Sequence, residues 1–429
     1  MLRFVNYIII KKKLFLTFPL LIFTFIAPKQ YIKKIAYSLN TSLRNDFSVK
    51  LGRFQFGRAK KKGVNIIGYA FYDSGYGEHC RNVVRAVERN NIEFDIFNQD
   101  YKYSERDYSN DEFKKYIGNR LRYNTNIFTL SPVIANKFFK RNPFTKYDAL
   151  RLPAGYNIAY GFWEMPNLPK KWVNVISKFD EIWAPTRFVQ DAFSKNSITP
   201  VIHMPAAIDF KLQQKYSRSS FNLPEDKFLF IFSFDIIGYD NRKNPKAVMD
   251  AFRQAFSENN HDVALVLKIV DHGDKFNHIR IENFKNSINL PEHQIYLINE
   301  SYSKDKVLGL FSVCDCYVSL HRCEGFGMGI AEAMKLGKPA IVTGYSGNLD
   351  FNNYENSCLV DYKLVEVKKD AYPLIDDTDV WAEPDINSAA GYMQKVFNDS
   401  EFRGRIAAKG KKFIDDKHNF SIIASNYEE

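Results

Sequence analysis

The sequence predicts an α/β protein made of two doubly wound, Rossmann-like domains that face each other across a cleft. Three observations carry this expectation. At 429 residues the chain is too long for one comfortable core. From Gly63 onward, short apolar runs alternate with amphipathic stretches, the pattern of a parallel sheet covered by helices. A polar stretch, 209–224, with Ser217, Ser219, Ser220 and Pro224, then divides one such series from the next. The expected parts are a basic, apolar segment over 1–62, a first domain over 63–208, a linker over 209–224, a second domain over 225–400 and a helical tail over 401–429.

Taken in order, Val64-Asn65-Ile66-Ile67-Gly68 reads as the first strand and Asp73-Ser74-Gly75-Tyr76-Gly77 as a turn. A helix follows, with Cys80, Val83, Val84 and Val87 spaced i, i+3, i+4, i+7. Further strands are expected at 92–97, 127–130, 156–162, 181–184 and 200–203. The second series opens with a strand at 227–234 and a helix at 245–256. Strands at 263–270, 295–298, 316–320 and 340–343 follow, and the chain returns to helix after Asp385. Two doubly wound domains imply a cleft where ligands gather at the carboxyl ends of strands.

Composition narrows the class. Apolar and charged fractions of 45% and 25% are those of an ordinary globular protein. The net charge of +11 is concentrated in one place: residues 1–62 hold fourteen Lys and Arg against the single acid Asp46, so the remaining residues carry −2. A nucleic-acid binder needs its basic residues on the folded body, and that class is set aside. Five cysteines with no CxxC spacing read as free thiols of a reducing compartment. Within 1–62, the fourteen-residue run LFLTFPLLIFTFIA at 14–27 reaches about 21 Å as a helix, short of a hydrocarbon core of about 30 Å. Lysines on both sides favour an interfacial anchor on an anionic membrane. A packed N-terminal helix and a signal or spanning segment remain as alternatives.

The segment 324–334 carries the chemistry. After the strand at 316–320, His321-Arg322-Cys323-Glu324-Gly325-Phe326-Gly327 reads as a loop. Met328 then opens a helix closed by Gly337, with Pro339 beyond. Two glycines let backbone approach a ligand, and the free amides and dipole of the helix start attract an anion such as pyrophosphate. Glu324 and Glu332 suit hydroxyl groups on either side of that anion. Arg242-Lys243-Asn244-Pro245 opens a helix after the second domain's first strand, and Lys268 ends the next strand. Cations beside a departing phosphate stabilise charge that grows in the transition state.

Glu324-Gly325-Phe326-Gly327, Ala331-Glu332-Ala333-Met334, Gly337-Lys338-Pro339 and Ser346-Gly347-Asn348 together resemble the signature of family 4 retaining glycosyltransferases. The resemblance is strong over about 30 residues and weaker from Gly63 to the C-terminus. It implies a GT-B enzyme that transfers a hexose from a nucleoside-diphosphate sugar, with no cofactor and no metal. The acceptor would be a saccharide or lipid-linked saccharide in cell-surface polysaccharide synthesis. The free thiols and the basic, apolar terminus, rather than the resemblance, lead to the expectation of a cytoplasmic enzyme on the inner face of the membrane.

By the same resemblance Glu324 contacts the donor sugar and Glu332 the ribose, while Lys243, Arg242 and Lys268 neutralise the diphosphate. Gly325, Phe326, Gly327 and Met328 form the donor loop. Gly75 and Gly77 belong to a glycine-rich loop that either lines the cleft or is a plain turn. Glu164, where many members carry a histidine, either serves the acceptor or is a structural acid. His321 either reaches the donor or is structural. One departure is Ser233-Phe234-Asp235, standing where many members have a Gly-Arg pair. Asp376-Asp377-Thr378-Asp379 reads as a solvated turn rather than a metal motif. The tail over 401–429 is expected to pack back on the first domain. Rival readings are a nucleotide-sugar epimerase of the same fold and a non-catalytic nucleotide-sugar binder.

Overall fold

The structure, a computed structural model, describes residues 61–72, 74–98, 111–118, 120–130, 152, 155–236, 240–270, 277–368, 371–372, 375 and 379–427. They lie in one compact unit, Arg58–Glu429. The expected anchor at 14–27 and the acids Asp376 and Asp377 fall outside the described residues.

Two six-stranded parallel sheets organise the molecule. The first contains β1 (Lys61–Gly68), β2 (Phe94–Asn98), β3 (Tyr123–Phe128), β4 (Tyr156–Tyr160), β5 (Glu181–Ala184) and β6 (Val201–His203). Their spatial order is β2-β1-β3-β4-β5-β6, every pair parallel. The second contains β7 (Phe228–Asp235), β8 (Val263–Val270), β9 (Ile295–Ile298), β10 (Cys316–Ser319), β11 (Ala340–Thr343) and β12 (Cys358–Val360). Its order, β12-β11-β10-β7-β8-β9, reads 3-2-1-4-5-6 in the domain's own numbering when taken from β9. Helices cover both faces, so the central strands of the second sheet, such as β8 and β11, are buried along nearly their whole length rather than alternating. In β7 and β8 the register runs from Phe228 opposite Val263 to Asp235 opposite Val270 without a slip.

Both expected domains are thus doubly wound α/β units. The sequence reading missed an antiparallel pair, β13 (Tyr362–Glu366) and β14 (Val380–Pro384), which extends from the second domain. Every residue of β13 is exposed, so it lacks the buried periodicity by which a strand is recognised. Trp381 on β14 nevertheless packs into the first domain's core with Val367 and Tyr372.

The stretch 209–224 is not a free tether. Arg218 donates to the Val313 carbonyl (3.1 Å), the Lys227 carbonyl (2.6 Å) and the Asp315 carboxylate (2.7 Å), and Phe221 and Leu223 are buried on the second domain. At the other end, the helix Ser400–Lys417 buries Phe402, Ile406 and Ile414. The chain then crosses at His418, whose carbonyl accepts from the Ile208 amide (2.7 Å). The short helix Phe420–Ser425 lies against the first-domain helix Gly75–Arg89, where the Asn90 amide donates to the Ala424 carbonyl. Tyr427 stacks on Trp183 with centroids 5.1 Å apart.

All five cysteines are free and buried, and burial pushes the Cys80 thiol up to about 11. Among the described residues no helix is long and apolar enough to cross a membrane.

Candidate active site

The second sheet's strand order diverges between β7 and β10, and in such sheets ligands bind outside the carboxyl ends at that point. Arg242 and Lys243 follow β7, and the Glu324 loop follows β10. The topology therefore brings together residues about 80 apart in sequence.

Glu324 is 6% exposed. One carboxylate oxygen lies 2.5 Å from Lys243 Nζ and the other 3.0 Å from Arg242 Nη1. Arg242 Nη1 also donates to the Cys323 carbonyl at 2.8 Å. Burial alone would raise the carboxyl's pKa, but Lys243 and then Arg242 hold it down at about 2. For Arg242, burial opposes the charge, while Glu324 and Glu164 hold its pKa above the ordinary value. The cluster is thus a buried, ionised carboxylate between a buried guanidinium and a part-exposed ammonium.

The loop is held from both domains. Thr186 Oγ1 of the first domain donates to the Gly325 carbonyl at 2.9 Å, and the Gly347 amide donates to the Glu324 carbonyl at 2.9 Å. Ser346 Oγ accepts from the Glu324 amide at 2.8 Å. Gly325 is tight against the first domain, since a Cβ there would lie 2.8 Å from the Trp163 carbonyl. Gly327 takes φ +94° and precedes the helix Met328–Lys335 without a side-chain cap, so that turn leaves amides at the helix start for a ligand. About one turn on, Glu332 is buried and accepts from Lys304 Nζ at 2.5 Å.

Residues 213–413 match the family of group 1 glycosyl transferases. Comparison with curated proteins gives no match. Among solved structures, the chain is similar to the sucrose-phosphate synthase of Thermosynechococcus elongatus (15% identity, TM-score 0.59, 86% of this chain and 98% of that one). It is also similar to Anabaena Alr3699/HepE in complex with UDP and glucose (12% identity, TM-score 0.58, 86% and 98%). At these identities the likeness establishes the fold, which is GT-B. The group 1 match covers the second domain, where Glu324, Glu332, Arg242 and Lys243 all lie.

The other expected site residues are placed more variously. Lys268 is buried, with its ammonium donating to the Ile269 carbonyl at 2.6 Å and lying 5.3 Å from the Tyr302 ring. The Phe326 side chain packs in the core against Phe351 and His418, leaving its backbone to face a ligand. His321 is buried with both ring nitrogens engaged, by Ser319 Oγ (3.0 Å) and by Asn348 Oδ1 (3.0 Å). That supports the structural alternative for His321: burial lowers its pKa and it orients the Ser346–Asn348 turn behind Glu324. Glu164 stands on the first-domain side of the cluster and accepts from Tyr372 Oη at 3.0 Å. Gly77 is a packing glycine, because a Cβ there would lie 1.9 Å from the Tyr72 carbonyl, whereas Gly75 is exposed and meets nothing within 4 Å.

Asp379 corrects an expectation. It is 2% exposed and accepts from Asn167 of the first domain at 2.9 Å, so it is an interdomain tie and not part of a solvated turn. Lys304, Tyr372 and Thr186 were not anticipated, and Glu78 only as the last residue of the Gly75–Gly77 loop.

Proposed function

We propose that this protein is a retaining glycosyltransferase that moves a hexose from a nucleoside-diphosphate sugar to a hydroxyl of a saccharide or lipid-linked saccharide. The observation that carries the reading is the buried Glu324 carboxylate between Arg242 and Lys243 at the switch point of the second sheet. Glu324 has acceptor oxygens for donor hydroxyls. Lys243 and Arg242 supply positive charge where the diphosphate leaves, an electrostatic role that strengthens in a site shielded from water. Glu332, in the middle of the helix that follows the Glu324 loop, accepts from the ribose.

In the proposed step the acceptor oxygen bonds to the anomeric carbon as the bond to the diphosphate oxygen breaks. The acceptor's proton passes to that departing oxygen on the same face, so configuration is retained and no covalent enzyme intermediate is needed. Glu164, tied to Tyr372 and facing Arg242, lies on the first-domain side, where the acceptor enters. The basic, apolar residues 1–62 support a location on the inner face of the membrane and a lipid-linked acceptor.

Glu324→Gln tests the reading because it keeps the shape and removes the charge. Calorimetric binding of UDP or GDP should change by about twofold or less, while transfer falls about 100-fold or more. Unchanged transfer would remove Glu324 from the site, and an inverted product by NMR would overturn retention.

A further inference from the structure

Glu332 faces a pocket of about 230 Å³ between the domains, lined among others by Glu78, Asn82 and Arg85 of the first domain and by Lys304 and Asp305 of the second. Within the first turn of the helix Lys304–Val313, each polar side chain has a separate task. Asp305 accepts from the Gln213 amide (2.8 Å) and from Tyr216 Oη (2.8 Å), which fastens the stretch before β7. Lys306 lies over the Tyr302 ring at 3.9 Å. Of the three, Lys304 is the one that meets Glu332, its ammonium 2.5 Å from Oε1. A cation at a helix N-terminus opposes the dipole, so this placement is stabilised by the carboxylate it meets and not by its own helix.

We infer that Lys304 is the positioning residue of the donor site, holding Glu332 as a charged acceptor aimed at the ribose hydroxyls from the second oxygen of its carboxylate. The inference rests on the ribose role given to Glu332 above. Burial raises the Glu332 pKa above the ordinary carboxylate value, and Lys304 is the cation that works against that rise. The other charged or titratable groups facing Glu332 do not replace that cation. Glu78 across the pocket adds repulsion and is itself paired with Arg81 (2.7 Å) and Arg85 (3.2 Å). Tyr317 on β10 is a buried phenol whose pKa burial and then Glu332 raise. On the stretch after β6, Asp209 is paired with Lys335 (3.0 Å), and Lys211 lines the outer rim.

Titration calorimetry on the full chain tests this with whichever of UDP, GDP and ADP binds most tightly, beside its 2′-deoxy form, from pH 6 to pH 8.5. The wild type should prefer the ribose form at every pH. K304M should lose about tenfold in affinity for the ribose form at pH 6, and the loss should shrink as the pH rises and Glu332 ionises without help. K304R should stay within about threefold of wild type. Circular dichroism checks the fold, and K304Q takes the place of K304M if that variant does not fold. A lysine-free variant with wild-type affinity and pH profile, or with tighter binding, overturns the inference. A wild type that does not distinguish ribose from 2′-deoxyribose instead overturns the ribose role of Glu332, and the inference with it.

Discussion

At the scale of single residues, Glu324 and His79 show two ways in which this fold buries a titratable group. Glu324 is buried with its partners, and a buried ion pair adds little net stability because desolvation offsets attraction. What it does is hold two cations in place before any ligand arrives. His79, on the helix Gly75–Arg89, is buried with no partner for Nε2 and packs edge-on to Tyr160 and Phe162. Burial drives its pKa down from 6.5 to about 3, only partly opposed by the hydrogen bond its ring donates to the Tyr160 carbonyl. The folded state therefore keeps His79 neutral while the unfolded chain protonates near pH 6.5. Stability is unaffected above that pH and falls as the pH drops from 6.5 toward 3. The slope should be about 1.4 kcal/mol per pH unit for such a histidine. His321 and His418 act in the same direction. Denaturant titrations at pH 7, 6 and 5 should show falling stability, and His79→Leu should make the fall shallower. A His79→Leu chain with the wild-type slope would sink this account.

At the scale of elements, the same residue type has opposite meanings in a turn and in a helix. Gly347 sits in the 3₁₀ turn behind the Glu324 loop, where an added Cβ would lie 2.3 Å from the Gly325 carbonyl. Backbone cannot move aside as a side-chain tip can, so Gly347→Ala should cost about 1–3 kcal/mol and displace the loop. Its kcat should fall further than the stability loss explains. Gly391 lies within the helix Ile386–Asn398, and a Cβ there meets nothing within 4 Å. Gly391→Ala should stabilise the protein by about 0.5–1 kcal/mol and leave activity alone. Thermal denaturation of both variants checks the pair, and equal effects at the two positions would refute the packing argument.

At the scale of the whole molecule, two features stand apart. The domains are tied near the site by hydrogen bonds from each side. Thr186 reaches Gly325, Asn167 reaches Asp379, and Asp350 accepts from the Arg187 amide (3.0 Å), with His203 Nε2 2.8 Å from its carboxylate. The charge, by contrast, is one-sided, with +13 in residues 1–62 and −2 over the remainder. Full-length protein should sediment with anionic vesicles at low salt and release as salt rises, because exposed charge is screened over about 10 Å at 0.1 M. Residues 63–429 alone should stay in the supernatant. Equal sedimentation of both forms would remove the membrane from the proposal.

The sequence by itself determined the strand-and-helix alternation and singled out the turn at 324–327. Local signals suffice for these: Gly327 marks the left-handed turn, Gly337 the helix end, and the spacing from Glu324 to Glu332 the two acceptor positions on one loop and helix. Much of the site's environment lay beyond it. That Lys304 meets Glu332, that Arg242 and Lys243 flank Glu324, and that Asp379 is buried against Asn167 depend on groups 28 to 212 residues apart. Local periodicity carries no information on such pairs. His321 was open between donor contact and a structural role, because only the packed neighbours Ser319 and Asn348 occupy its two nitrogens. The tertiary structure decided which charges are buried and what each one faces, since burial and partner geometry arise only when the sheets, the exposed β13–β14 pair and the tail come together.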